Sequence, residues 1–430
     1  MKRSTLNGWG IKKKNLKYSR QKELFDMKPG PLEGVRLTEF TSAWAGPYAT
    51  CLLGFLGAEI IKVESRMRLD HSRNLSFSTG KRFSGPDESE VFNNLNLNKK
   101  SITLNLKEPR AVELAKKVVG VSDVVMENMR PGVMPRLGLG YEALEKIKPD
   151  LIYLSSSACG QEGPEREYVG YAPTFAALGG VSYITGYEDW PPSNFMGAID
   201  LRSATTAAAS MLTALVQKQR TGRGQYIDMA SQESIAVLIG DVMLDYVMNQ
   251  RVQTRKGNKG YRIAPHNCYR CSGEDKWISI AVATDQEWEG LCRTMDRPDL
   301  IMDKRFAGSD DRYNNQADLD RIISEWTRDK ESYALMTLLQ TAGVAAASTL
   351  SSEGLFKDPH VRDRGVFLEV EHPVIGNDWV IAPPWRLSET PAQINRHAPL
   401  LGEHNEYVFG ALLGMSPEEI KTLEQEKVIY

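Results

Sequence analysis

An α/β fold on a parallel sheet follows from three features of the chain. Residues 34–64 read as strand, short helix and strand, a βαβ unit of about thirty residues that sets two parallel strands side by side. A strand–helix rhythm then repeats from Ser101 to Met229. With 430 residues, 41% hydrophobic and 25% charged, the chain has the composition of a large soluble globular protein with room for more than one domain.

Each element has its own signal. Gly34-Val35-Arg36-Leu37-Thr38-Glu39-Phe40 alternates with the period of a strand. A turn at Ser42-Ala43-Trp44-Ala45-Gly46 leads to Pro47, read as the first helical residue, and a helix over Tyr48–Leu56. Glu59–Glu64 is the second strand. Ser101–Lys107 is a strand, and Pro109 opens a helix that stops at Gly120. Asp123–Glu127 and Leu151–Ser155 are strands, with a helix over Tyr141–Lys148 between them. An Ala-rich helix over Thr205–Arg220, a strand over Gln225–Met229 and a long helix over Ser231–Tyr246 follow.

After Asn249 the character changes. Arg251–Gly260 is basic and Gly-marked, a connector; Trp277–Val282 is a strand, and helices run to about Ala342. Polar turns over Ser351–Asp363 lead back towards the first domain. The expected organisation is a basic arm over 1–30, the first part of a large domain over 31–250, a linker and small domain over 251–350, and a return segment over 351–430. The arm holds Lys12-Lys13-Lys14 and little apolar periodicity, as a solvated arm or one packed on a partner subunit would.

Several functions are disfavoured. The turn Trp44-Ala45-Gly46-Pro47 is not GxGxxG and no GxxxxGK[ST] occurs, which argues against ordinary dinucleotide and triphosphate binding. No GxSxG hydrolase elbow occurs. A net charge of -2 suggests neither nucleic acid nor a membrane surface as partner. No apolar run approaches the ~20 residues of a membrane span, and the N-terminus lacks a secretory apolar core. Five widely spaced cysteines fit a reducing cytoplasm. Cys268-Tyr269-Arg270-Cys271 has no second pair, and the six histidines show no metal spacing, so no metal is expected.

The chemistry-bearing candidate is Asp200, in Gly197-Ala198-Ile199-Asp200-Leu201-Arg202-Ser203-Ala204. It enters a small-residue helix start directly after a Gly- and Pro-marked stretch. A helix cap is the commonest role of such an aspartate.

Long ordered motifs then carry a resemblance. Ala45-Gly46-Pro47 with Leu53-Gly54-Phe55-Leu56-Gly57-Ala58-Glu59-Ile60-Ile61-Lys62-Val63-Glu64 is one of them. Asn98–Lys107, Asp123–Gly132 running on to Tyr141, Arg220–Gln225 and Ala398–His404 follow in order. Over residues 31 to 425 the chain resembles the class III CoA-transferases, also called the formyl-CoA or CaiB/BaiF family. The Gly170–Gly180 and Ile263–Tyr269 stretches look closer to the branch acting on aromatic or dicarboxylic acids, such as succinyl-CoA:benzylsuccinate CoA-transferase subunits.

The resemblance implies a Rossmann-like large domain from both chain ends, a small α/β domain, and two subunits threaded through each other as a homodimer or heteromer. It implies acyl-CoA and carboxylic acid substrates and no permanently bound cofactor. Asp200 lines up with the family nucleophile, which forms an aspartyl-acyl anhydride and then an aspartyl-CoA thioester. Trp44, Ala45, Ser65, Arg73, Asn128, Met129, Arg136 and Tyr171 fall at CoA- or acyl-binding positions. Trp44, where formyl-CoA transferase has Gln, favours a larger acyl group. Arg73, Lys99, Lys100 and Arg130 are further candidates for the CoA phosphates. Two alternatives remain. The related α-methylacyl-CoA racemases share the fold but pair the Asp with a His, and here Tyr171 stands at that place, a phenol with a reference pKa of about 10. A non-catalytic CoA-binding subunit of a heteromeric transferase is the other.

Overall fold

The structure, a computed structural model, describes residues 29–76, 83–193 and 198–430. Apart from Pro29 and Gly30, the basic arm lies outside the described residues.

Six strands form one sheet in the order β3-β2-β1-β4-β5-β6. They are β1 (Arg36–Phe40), β2 (Glu59–Glu64), β3 (Lys99–Thr103), β4 (Val124–Glu127), β5 (Ile152–Ser157) and β6 (Gln225–Ala230). Every neighbouring pair is parallel. A parallel sheet is covered on both faces, so alternate residues of one strand enter different cores. Ile61, Val125 and Tyr153 face one apolar cluster with Leu114 and Val118 of the helix α3 (Pro109–Gly120). Ile60, Val124, Met126, Ile152 and Leu154 face the other, with α1 (Ala45–Phe55) and α8 (Ala198–Thr221). Between these run α2 (Glu90–Leu95), α4 (Val133–Arg136), α5 (Tyr141–Leu144), α6 (Ala172–Leu178) and α7 (Val181–Ile184).

Sequence boundaries hold best for the apolar strands. The helix expected over Tyr48–Leu56 starts earlier, at Ala45, which makes Pro47 its third residue. α8 begins at Ala198, seven residues before the expected start, so Asp200 sits inside its first turn. β3 is shifted towards its N-terminus, to Lys99–Thr103. It ends there because the Asn105 N–H leaves the sheet for the Val428 carbonyl at 2.9 Å. The helix expected over Ser231–Tyr246 is split by a 3₁₀ turn at Val237–Ile239 into α9 (Ser231–Ala236) and α10 (Gly240–Asn249). The glycine at 224 has no room for a side chain: a Cβ there would lie 2.1 Å from the Leu151 carbonyl oxygen.

Residues 266–348 hold a separate apolar cluster around Trp288, Leu291, Phe306 and Ile323. Its three antiparallel strands are β7 (His266–Arg270), β8 (Trp277–Ala281) and β9 (Ala345–Ser348). A hairpin of β10 (Phe367–His372) and β11 (Gly376–Ile381) follows.

The chain then returns to the large sheet and closes the β3 edge. An edge strand presents unpaired amides that invite wrong partners. Here the Ser101 N–H donates to His404 Nδ1 at 3.3 Å and the Thr103 N–H to Asn405 Oδ1 at 2.9 Å, while the His404 N–H donates to the Ser101 carbonyl at 2.9 Å. The Gly402-Glu403-His404 motif is thus a seal on a sheet edge. His404→Ala leaves the Ser101 amide buried without its side-chain acceptor and is expected to cost about 1–3 kcal/mol. Chemical denaturation reads this directly, and an unchanged midpoint contradicts the sealing role.

Candidate active site

In an open α/β sheet, ligands bind outside the carboxyl ends of the strands, at the point where the strand order reverses. In this sheet that point lies between β1 and β4. The turns leaving these strands are tied together there. Asn128, the residue after β4, accepts the Ser42 N–H on Oδ1 at 2.9 Å and donates from Nδ2 to the Ser42 carbonyl at 2.8 Å. Gly46 permits the approach: a Cβ on it would stand 2.8 Å from Thr41 Cβ and 3.0 Å from Asn128 Cγ. Trp44 is the N-cap residue of α1, half-buried, and its side chain makes no capping hydrogen bond. Ala45 opens the helix, and Ser65 directly follows β2. Met129 donates its N–H to Glu127 Oε2 at 2.7 Å. Trp44, Ala45, Ser65, Asn128 and Met129 therefore share one edge of the sheet. Arg130 and Arg136, both exposed, continue the loop after β4.

α8 brings Asp200 to the same edge. It leads into the amino end of β6, so it runs antiparallel to the strands, as α1 does on its way to β2. The two helices pack side by side through small residues, Ala204, Ala207 and Ala208 against Ala49, Leu52 and Leu53. Asp200 lies one turn beyond Ala204, about 6 Å further along the axis. Ile199 next to it packs on Ala172 and Ala176 of α6. Tyr171 is the N-cap residue of that helix and is 73% exposed. Burial pushes the Asp200 carboxyl up to about 6. Glu127 is buried beneath the same edge, and burial raises it to about 7 against a Ser155 hydrogen bond and the Met129 amide.

Two of the cations expected to reach phosphates do not line a surface. Arg73 is 1% exposed, with Nε and Nη2 both 2.8 Å from the Glu64 carboxylate and Nη1 2.8 Å from Asp87. Its Nη2 also reaches the Pro399 carbonyl at 3.2 Å, so the guanidinium joins the first strands to the return segment. Arg73 is therefore a buried structural cation, because a phosphate on it would have to displace a desolvated carboxylate. Lys99 is fully buried between Glu39, the Pro47 carbonyl at 2.7 Å and Asn96 Oδ1 at 3.0 Å. Lys100 pairs with Glu59 and lies over the Tyr407 ring at 4.3 Å.

The motifs read from sequence did not reveal that Glu39, Lys62, Asp70 and Lys99 form one buried network below the β1–α1 turn. Lys62 Nζ lies 2.8 Å from Asp70 Oδ2 and 3.3 Å from Glu39 Oε1, and Lys99 Nζ lies 2.9 Å from Glu39 Oε1. The one signal was a Lys inside an apolar strand run, Ile60-Ile61-Lys62-Val63.

The model of the family described as CoA-transferase family III matches residues 32–405. The chain belongs to that family. It is 34% identical to the succinyl-CoA–D-citramalate CoA-transferase of Chloroflexus aurantiacus over 93% of this chain and 98% of the relative. It is 31% identical to the beta subunit of that organism's succinyl-CoA–L-malate CoA-transferase, over 93% and 98% of the two chains. The crystal structure of a CaiB/BaiF family protein from Brucella suis superposes with a TM-score of 0.80 at 29% identity, covering 90% of this chain and all of that one. A family III CoA-transferase moves CoA between an acyl-CoA and a carboxylic acid.

The raised Asp200 pKa has a stability consequence. A carboxyl lifted from 3.8 to about 6 costs the folded state stability wherever it is ionised: fully above pH 6, not at all below its unfolded value. Asp200→Asn is therefore expected to raise the unfolding free energy at pH 8 by up to roughly 3 kcal/mol, and by about half as much at pH 5. Denaturant titrations at the two pH values check this, and a gain that grows on acidification contradicts it.

Proposed function

We propose that this CoA-transferase takes CoA from a dicarboxylic acyl-CoA such as succinyl-CoA and gives it to a second carboxylic acid, with Asp200 as the covalent relay. The observation that carries this is a carboxyl in the first turn of α8, raised by burial and held at the sheet edge that carries Trp44, Ala45 and Asn128. The succinyl-CoA relatives support the donor class.

In the proposed relay the Asp200 carboxylate attacks the donor thioester carbonyl, the C–S bond breaks, and CoA leaves as thiolate. The product is a mixed anhydride of Asp200 and the donor acyl group. The thiolate then attacks the aspartyl carbonyl of that anhydride, expelling the donor acid and leaving an aspartyl-CoA thioester. The acceptor carboxylate attacks this thioester and releases thiolate again. The thiolate attacks the acceptor's carbonyl in the new anhydride, which forms acceptor-CoA and returns the Asp200 carboxylate. Each intermediate is about as activated as a thioester, so the exchange is divided into steps of similar energy. Trp44 on the β1–α1 turn bounds the acyl group, Ser65, Asn128, Met129 and Tyr171 line the CoA arm, and the exposed Arg130 and Arg136 meet its phosphates.

The same reading includes an interlocked dimer or a heteromer with a homologous subunit. Val237, Leu238, Met243, Leu244, Val247 and Met248 are all exposed on the segment through α10, and α10 buries no residue of its own. A contiguous apolar face of this kind marks an interface. The described residues include no helix long and apolar enough to cross a membrane.

Asp200→Ala is expected to lower kcat by roughly a thousandfold or more while CoA still binds. Mass spectrometry of the wild type after exposure to succinyl-CoA should find a CoA adduct on the Asp200 peptide, absent in the variant; turnover at a tenth of wild type sinks the relay. The pair Val247→Asp and Met248→Asp should abolish the native assembly in sedimentation runs. A wild-type chain that sediments as a stable folded monomer argues against the interface.

A further inference from the structure

We propose that Asp70 is a positioning residue for acyl-CoA binding, holding the β1–α1 turn in the shape that presents Trp44 and Ala45. The proposal rests on the reading of that turn as part of the CoA site.

Side chains build this turn. The Thr41 carbonyl accepts from Lys62 Nζ at 2.9 Å, and both backbone groups of Ser42 are taken by Asn128 at 2.9 and 2.8 Å. The Ala43 N–H donates to Asp70 Oδ1 at 3.0 Å. The same oxygen accepts the Ser42 hydroxyl at 3.3 Å, the Ser72 N–H at 2.9 Å and the Ser72 hydroxyl at 2.8 Å. The His71 N–H in turn donates to Ser42 Oγ at 3.1 Å. The other carboxylate oxygen pairs with the Lys62 ammonium at 2.8 Å. Asp70 thus links the turn to the strand β2 and to the segment that follows it.

The turn needs this hold. Ala43 has φ 69°, in the left-handed region that disfavours any residue carrying a Cβ. Such strain persists only where surrounding contacts over-determine it. Trp44 follows directly as the α1 N-cap, at φ -121° and ψ -67°. If Ala43 relaxes, the indole and the first amides of α1 move with it. An asparagine cannot replace the aspartate, because its amide would set a donor against the Lys62 ammonium. Burial works against the Asp70 charge, but Lys62 and the amide donors outweigh it and hold the carboxyl at about 2.

The test uses the full chain as Asp70→Asn, Ala43→Gly and the double variant. CoA affinity is read by titration calorimetry, kcat by transfer from succinyl-CoA, and amide exchange over residues 41–46 by mass spectrometry. Asp70→Asn is expected to weaken CoA binding by roughly 10- to 100-fold, the loss of a charge-assisted hydrogen-bond array, and to speed exchange in the turn. Its kcat should stay within about threefold, since Asp200 is untouched. Adding Ala43→Gly should recover about threefold or more of the affinity, because glycine takes the left-handed conformation without strain. A residue that merely stabilises the core gives additive losses and no such recovery. Should Asp70→Asn fail to fold, Ser42→Ala reads the same link without removing a charge and is expected to shift affinity and exchange in the same direction. Unchanged CoA affinity, or additive variants, overturns the proposal. A wild type that binds no CoA overturns the CoA reading of the site, and the exchange data then still decide whether Asp70 holds the turn.

Discussion

Four charges sealed under the β1–α1 turn are the constraint on which the site depends. Glu39 and Asp70 face Lys62 and Lys99, so the network is neutral, and every side chain in it is at most 1% exposed. A neutral buried network survives only when its polar atoms are satisfied by further bonds. Here those bonds reach the Thr41 carbonyl, the Pro47 carbonyl, the Ala43 amide and the Thr50 hydroxyl, all in or beside the turn and the start of α1. The cost of burying the charges is thereby tied to one conformation of the turn. Removing one member leaves a buried charge uncompensated, which costs about 3–5 kcal/mol in comparable cases. Burial outweighs its partners at Lys99 and lowers its pKa, whereas at Lys62 the carboxylates outweigh burial and raise it.

The large sheet was legible because its signals are local. Glu59–Glu64 reads as a strand and is one, since a strand covered on both faces is a short apolar run. Pro109 opens α3 as its fixed φ suggests. Asp200 was legible as an acid at a helix start, though the start itself lies earlier, at Ala198. What failed were the charges. Arg73 and Lys99 read as candidates for the CoA phosphates because long basic side chains are rarely buried unless paired. Their partners Glu64, Asp87 and Glu39 are brought in by the fold, from 9 to 60 residues away in the chain. No local pattern carries that pairing. The role of His404 was hidden for the same reason, since its acceptor function needs the Ser101 amide 303 residues away.

The two edges of the sheet are treated differently. β3 is closed by the chain's own return segment through His404 and Asn405. Neutral imidazole is needed there, because Nδ1 must accept, and burial holds the His404 pKa down at about 4 despite Glu403. The stability this group contributes is therefore complete above the ordinary histidine range and falls as the medium is acidified towards pH 4, where the folded imidazole itself protonates and the seal opens. At the other edge, β6 leads into α9, which buries Ile235 against α6, and then to α10, which buries no residue of its own. The exposed apolar face of α10 is the surface that the proposed interlocked dimer or heteromer would cover.

Two opposing effects meet at Asp200, and their balance suits the proposed relay. An acid in a helix's first turn is favoured in its ionised form by the macrodipole, an effect of about 0.3–1 kcal/mol. Burial acts the other way and wins, since the carboxyl stands at about 6 instead of 3.8. A raised pKa means a more basic and hence more nucleophilic oxygen, while a value below neutrality leaves about nine-tenths of the groups ionised at pH 7. Deeper burial would keep the proton on, and a paired cation would lower the basicity that attack on a thioester requires. The long α8, packed through Ala204, Ala207 and Ala208 and projecting a full turn past its contact with α1, holds the carboxyl between these limits. Under the proposed relay the small residues of that helix matter alongside the aspartate, because their close packing on α1 fixes where the first turn of α8 stands.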